Sequence, residues 1–379
     1  MKRTPLALLN LLHERTRLIV AIAGVAFAVL LIFMNLGFQG ALLQSTITFY
    51  DQINADIFLS SPQSLEISST KAFPRERLYQ VAGVEGVDHV MPLYLEYLLW
   101  RNPETRISRA MFVFAINPQD PVFLMPELQN LEAIAALERP NTVFIDRLSR
   151  AEFGPQTTGI ETEADRRQAK IGGQYTLGGG FAADGTLIMS DQNFVRYFDP
   201  RPFNLINLGL IKLAPGANAE RVATTMRQLL PADVRVLTKA EIMQNDLRFW
   251  LENTAIGFIF TLGVVVSFVV GTVIVYQILY TDIRDHLKEY ATLKAMGYNS
   301  FYLFTVVLQE AVILAVMGYF PGFVVALGLY RLTFQATQLP MFMNPARMVG
   351  VFILTVIMCG LSGLISVRRA ATADPAEVF

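Results

Sequence analysis

Two glycine clusters, Gly172-Gly173 and Gly178-Gly179-Gly180, are the first places in this sequence where chemistry could occur. Glycine-rich loops can cradle phosphates with backbone N–H groups. The working version needs GxxxxGK[ST], in which the lysine reaches the β/γ-phosphates and the hydroxyl ligates magnesium. No lysine follows either cluster, so a β-turn is the expected structure there. His13, His89 and His286 lie far apart, and no pair of them has metal-ligand spacing. Cys359 is the single cysteine, which rules out an intrachain disulfide. No GxSxG, HExxH or paired-cysteine motif occurs, and no pair of carboxylates is singled out by position. The residues give no case for an enzyme, a metal site or a cofactor held by this chain.

What stands out instead is polarity set in an apolar background. Of 379 residues, 53% are hydrophobic and only 17% charged, where soluble domains carry about 25% charge. The stretch 285–300, DHLKEYATLKAMGYNS, lies between two of the most apolar runs. On a helical wheel Ile283, Leu287, Tyr290, Leu293 and Gly297 share one side. Arg284, Asp285, Lys288, Glu289 and Thr292 take the other, and Lys294 breaks the pattern. That is a short amphipathic helix, with Gly297 as the residue past its end, or else a solvated loop that merely carries charge. Within the apolar runs polar groups are scarce: Asn35, Gln277 and the pair Gln309-Glu310. Charges at bilayer depth are costly and often mark pathways, but one carboxylate does not make a polar pore. Glu310 reads either as a helix–helix or hinge contact, or as a side chain reaching an interface or a backbone partner. Pro321-Gly322 interrupts the third run and predicts a bend or break there. Gly318, Gly322 and Gly328 would permit close helix packing.

The elements that must carry these residues follow from the hydropathy. Four runs suffice to cross a bilayer, which takes about 20 apolar residues: 18–38, 255–280, 301–332 and 348–367. The basic residues favour the cytoplasmic side for segment 1–17, loop 281–300 and tail 368–379. Residues 39–254 are then an extracytoplasmic domain, and 333–347 a short external loop. The run 18–38 has the basic flank of a signal peptide but is too long and lacks a cleavage site, so a retained anchor is expected. Leucines in 5–17 fit an interfacial elbow helix or a ragged start to the span. Within 39–254, strands are expected at 55–60, 87–100, 111–116, 206–213 and 234–237. Helices are expected at 74–82, with Pro74 in the first turn, and at 218–230. The fold class is therefore a membrane protein of four transmembrane α-helices plus one large α/β domain, a split βαβ porter-like part with an inserted subdomain at about 117–204. Thr238 and Glu241 form a Thr-x-x-Glu capping box. The helix it starts meets no glycine or proline before Gly257, and 41–53 also lacks a breaker, so stalk helices are expected at both ends of the domain. No long basic run exists to grip nucleic acid.

The run EYATLKAMGY at 289–298 closely resembles the cytoplasmic signature of MacB/FtsX-type (type VII, mechanotransmission) ABC permeases. So does the order of one span, a large external domain and three further spans. The tail ADPAEV at 373–378 resembles that family's C-terminal Pro-Ala motif. Residues 273–298, 308–322 and 187–194 look most like the DevC subgroup of cyanobacterial exporters. The resemblance implies a coupling helix, Asp285, Lys288, Glu289, Tyr290, Ala291, Leu293, Lys294, Ala295, Met296 and Gly297, that docks on a separate ABC ATPase. ATP and magnesium would be bound by that partner, since 17 residues before the first span leave no room for a fused motor. It further implies a homodimer in the bacterial inner membrane, a periplasmic membrane-fusion adaptor and a TolC-like outer-membrane duct. Export of a lipid, glycolipid or other periplasmic substrate is the expected activity, with Gln309, Glu310, Pro321 and Gly322 as polar and hinge positions. An FtsX-like regulator of a cell-wall hydrolase shares this architecture.

Overall fold

The computed structural model of the chain describes residues 15–178, 180, 183–286 and 300–371. They divide into a helical unit, within Met1–Gly40, Ala255–Thr333 and Met341–Phe379, and an α/β unit, Ala41–Thr254 with Phe334–Pro340. The chain begins with α1 (Arg15–Asp51), then β1 (Ile57–Ser60), β2 (Phe73–Pro74), α2 (Glu76–Gln80), β3 (Val87–Arg101) and β4 (Ser108–Ile116). Next come α3 (Leu131–Leu137), β5 (Thr142–Asp146), β6 (Glu161–Ala164), β7 (Arg167–Tyr175), β8 (Thr186–Ser190) and α4 (Asp191–Tyr197). Then β9 (Leu205–Ile206), β10 (Leu208–Leu213), α5 (Ala219–Leu229), β11 (Arg235–Thr238) and α6 (Lys239–Glu252) lead to α7 (Ala255–Asp285), α8 (Ser300–Thr337) and α9 (Pro345–Ala371).

Nine strands of the α/β unit form one sheet, in the order β11-β1-β10-β3-β4-β8-β5-β7-β6. Its first four strands are the split βαβ part. β10 is antiparallel to both β1 and β3, so β1 and β3 run parallel with β10 between them and α2 linking them. β1 likewise lies between β10 and β11, which α5 connects. The segment 117–204 does not stand apart from this layer. β8 pairs in parallel with β4, from Phe112 opposite Thr186 to Ile116 opposite Ser190. β6 returns to β3 at Trp100 and Ala164. Thus β3, β4, β8, β5, β7 and β6 close into a six-stranded ring that shares β3 with the split βαβ layer.

Burial explains why the ring closes. Trp100, Met111, Val113, Val143, Ile171 and Leu187 are fully buried in one cluster that also holds Ile57, Leu59 and Ile211 of the split layer. The opposite set of alternating side chains, including Phe58, Leu210, Phe114 and Phe144, packs with Phe49 and Tyr50 of α1. Gly172 and Gly173, expected in a β-turn, lie inside β7, where the register to β5 shifts between Val143 and Phe144. A Cβ on Gly173 would come within 2.6 Å of the Phe144 ring. The glycines therefore serve close approach of two strands, which is a further reason for glycine inside a strand.

Two other local expectations are corrected. Pro74 does not open a helix. Phe73-Pro74 pair with Ile206 and Leu205 in a two-stranded ribbon, and the helix starts at Glu76. Buried Phe73 fixes this, and Pro74 is tolerated because it needs no ladder N–H at an edge. The helix begun by the Thr238 capping box, whose two reciprocal bonds are both present, does not continue into the second span. It ends at Glu252, and α7 starts at Ala255. The Thr254 hydroxyl bonds the Trp250 carbonyl at 2.7 Å. A side-chain donor of this kind competes with the backbone ladder.

In the helical unit all four long helices are apolar enough to cross a membrane. In lipid there is little hydrophobic drive between helices, so small residues and hydroxyls make the contacts. Ser362 and Ser366 of α9 donate to the carbonyls of Thr272 and Tyr276 of α7. α8 remains one helix of 38 residues through Pro321. Its Gly318 and Gly322 lie against α1: a Cβ on Gly322 would meet the Ala26 carbonyl oxygen at 2.6 Å and Val29 Cβ at 3.0 Å. Gly328, by contrast, faces open space. Gly322→Leu is therefore expected to lower the stability of the full chain by about 1–3 kcal/mol, the cost of overpacking. Gly328→Leu should be silent. Thermal unfolding of the two variants in detergent compares them directly, and equal melting temperatures would rule out this packing.

Candidate functional site

The described polar residues that precede 287–299 in the chain meet Arg17 where α1 starts and α7 ends. α1 starts at Arg15, and α7 ends at Asp285. The Arg17 guanidinium donates to Asp285 Oδ2 at 2.7 Å and lies 3.8 Å from Asp282 Oδ1. His286 Nδ1 sits 3.7 Å from Asp282 Oδ1 and 3.0 Å from the Asp282 carbonyl. Asp285 was assigned by sequence to the amphipathic helix; it is instead the last residue of α7, because that helix continues past its apolar part into the polar turn. Lys288, Glu289, Tyr290, Ala291, Leu293, Lys294, Ala295, Met296 and Gly297 lie outside the described residues.

The polar positions of α8 do not form a cluster. Gln309 is exposed, whereas Glu310 is fully buried within the chain. Pro321 faces outward and Gly322 inward onto α1. Among the described residues no group of His, Cys, Asp or Glu side chains could hold a metal ion. At the far end of the same unit Arg347 donates to the Phe342 carbonyl at 2.8 Å and sits 6.0 Å from the Tyr330 ring centre, against Gly40. Tyr330 in turn donates to the Phe33 carbonyl.

The α/β unit holds its own buried polar cluster. Asp246 of α6 is 3% exposed, and its Oδ2 accepts from Tyr50 Oη of α1 at 2.6 Å and from the Ile67 amide at 3.2 Å. Glu66, also buried, accepts from the Ser68 amide at 2.8 Å. Arg235 reaches the Ser64 carbonyl. Tyr50, Ser60, Glu66, Arg235 and Asp246 line a cavity of about 20 Å³, room for a single water. Burial pushes the Asp246 carboxyl up from 3.8 to about 7. The Tyr50 hydroxyl opposes this, the Glu66 carboxylate adds to it, and the Ile67 amide and Arg235 pull it back. Sequence reasoning missed both clusters. Asp246 reads as one polar residue on an amphipathic helix, and Arg17 reads as topogenic charge.

Residues 251–375 match the family model described as FtsX-like permease C-terminal. This part of the chain is similar to the FtsX-like permease domain. The match encloses α7, α8, α9 and the whole of 287–299. No curated protein matches the chain. Among solved structures, the extracellular domain of the noncanonic ABC-type transporter YknZ from Gram-positive bacteria is 14% identical. That likeness has a TM-score of 0.36 and covers 48% of this chain and 100% of that one. The periplasmic region of MacB from Actinobacillus actinomycetemcomitans is 11% identical at a TM-score of 0.36, covering 54% and 95%.

The Asp246 cluster generates a pH dependence with a definite sign. The folded-state value of about 7 lies above the ordinary 3.8, so the folded chain binds more protons than the unfolded chain between them. Stability contributed by the neutral acid is complete below about pH 4 and is lost as pH rises towards 7, with a ceiling of roughly 4 kcal/mol. Thermal unfolding of the full chain from pH 5 to pH 8 should show this decline. Asp246→Asn, which keeps an acceptor for Tyr50 and Ile67, should flatten it. A wild-type chain equally stable at both ends of that range would contradict the assignment.

Proposed function

We propose that the chain is the transmembrane permease subunit of an ABC transporter. In this reading its FtsX-like domain takes up the work of a separate ATPase subunit and its α/β unit delivers that work outside the membrane. One observation carries the proposal. The FtsX-like match spans 285–297, in sequence an amphipathic charged segment between two membrane-crossing helices, in a sequence without GxxxxGK[ST]. A permease that lacks a phosphate loop needs a surface on which a motor can dock, and this segment has the composition for one. The distribution of basic residues favours the cytoplasmic side for this segment and both termini, and so for the ATPase.

The permease works as a homodimer under a pair of ATPases. ATP and magnesium belong to those partners. The scarcity of polar residues in the four apolar runs, with Glu310 the one buried carboxylate among the described residues of α8, favours transmission of movement over passage of a hydrophilic substrate between the helices. A lipid or glycolipid of the outer leaflet is the substrate class that fits best, handed on through a periplasmic adaptor and an outer-membrane duct, as the DevC-like segments imply. Reversing charge at both Glu289 and Lys294 is expected to bring permease-stimulated ATP hydrolysis of the purified complex down to the rate of the ATPase alone, with the permease still folded. Undiminished stimulation would remove the docking assignment.

A further inference from the structure

Five residues other than glycine take left-handed backbone angles among the described residues, and three of them border one recess of the α/β unit. They are Arg106 at φ 61°, Asp165 at φ 46° and Arg166 at φ 65°. A Cβ is strained in that region, and arginine lacks the short polar side chain with which Asn or Asp offsets the strain locally. Asp165 and Arg166 are the two-residue turn between β6 and β7, across which Ala164 pairs with Arg167. A turn with both central angles positive favours glycine at its second position, yet arginine stands there. Arg106 lies in the turn between β3 and β4, which is braced from within. Buried Asn102 accepts through Oδ1 from the Glu104 and Thr105 amides at 2.8 and 3.0 Å, and Arg101 Nε donates to the Arg106 carbonyl at 3.3 Å. Strained backbone that its surroundings hold in place is a mark of a side chain put to use.

We propose that this recess binds the phosphate group of an organic phosphate. Its volume is about 460 Å³, within the size range of small-ligand sites. Three arginines and two carboxylates line it, so one positive charge is in excess. Both carboxylates are already engaged. Glu163 Oε2 accepts from Arg101 Nη1 at 2.5 Å, and Asp165 Oδ1 accepts from the Leu99 amide at 3.1 Å. Among the described residues neither Arg106 nor Arg166 has a carboxylate partner. Each of these two guanidinia presents a planar fork of N–H donors, the geometry that matches phosphate oxygens. One fork suffices for a carboxylate with its two oxygens. Two forks suit a phosphate monoester, which has three terminal oxygens and close to two negative charges, and the Ser108 hydroxyl lines the same recess. Leu99, in the lining, and Ile107, beside Arg106, are both exposed and offer apolar contact to whatever carries the phosphate. A membrane headgroup and a soluble phosphate ester share this chemistry.

Calorimetric titration of the full chain in detergent with dihexanoylphosphatidic acid and, separately, with glycerol 3-phosphate tests the site. Arg106→Gly and Arg166→Gly are the informative variants, because glycine takes the left-handed angle at no steric cost. Each should lower the affinity about tenfold or more, the effect of losing hydrogen bonds to a charged group, while the melting temperature holds or rises. Binding of the acylated probe alone assigns the recess to a membrane headgroup, and equal binding of both probes assigns it to a soluble ester. Equal affinity in the wild type and both variants, or no binding of either probe to the wild type, would overturn the site. So would a fall in melting temperature in both glycine variants, which would give the arginines a role in the fold instead. Binding of hexaglutamate where neither phosphate probe binds would make the recess a docking surface for an acidic segment and would equally overturn the proposal.

Discussion

One helix, α1, supplies buried side chains to each of the two units. α1 contributes Val25, Val29, Ile32 and Phe33 to the buried face of the helical unit and Phe49 and Tyr50 to the core of the α/β unit. Both sets come from the single helix Arg15–Asp51. The sequence there contains no proline, and its three glycines, at 24, 37 and 40, each face a neighbouring side chain at close range. A glycine inside an exposed helix costs about 1 kcal/mol. Here each is the point where another helix or the Arg347 guanidinium comes nearest, so the loss is offset by packing.

The two units are held together internally by different physics. In the helical unit the backbone hydrogen bonds are satisfied within each helix, as they must be in lipid. Association is then left to close approach at glycines and to serine hydroxyls shared with a neighbouring carbonyl. The α/β unit instead buries aromatic and branched side chains on both faces of a single sheet. Its polar cluster at Asp246 is the exception. That cluster ties the last turn of α1 to α6 through a Tyr50 hydrogen bond rather than through apolar area.

The parts legible in the sequence were those written locally. The four membrane-crossing helices follow from run length, and the strands of the split βαβ layer from alternation. The capping box at Thr238 and Glu241 is formed as its spacing requires. The ring was not legible because its pairings are not sequential: β4 joins β8 and β5 joins β7. Gly172-Gly173 carries the local mark of a turn, while the Phe144 ring that explains it lies on another strand. The break before Ala255 has neither glycine nor proline to announce it. The contact between Arg17 and Asp285 is invisible to any window of sequence, yet a faint sign of it exists, two acids at a helix end that would favour a base.

β3 has a consequence for how the α/β unit can vary. Its residues up to Leu93 pair with β10, and those from Tyr94 onward pair with β4. One continuous strand thus belongs to the split layer and to the ring alike, and the buried clusters run across both. Excising 117–204 would strip β4 of its partner β8 and uncover a row of unpaired amides and carbonyls beside Phe112, Val113 and Phe114. An apolar edge of that kind recruits strands from other molecules. The segment is therefore a seal, and its surface loops rather than its strands are where lengthening, shortening and new specificity can be accommodated without exposing the sheet.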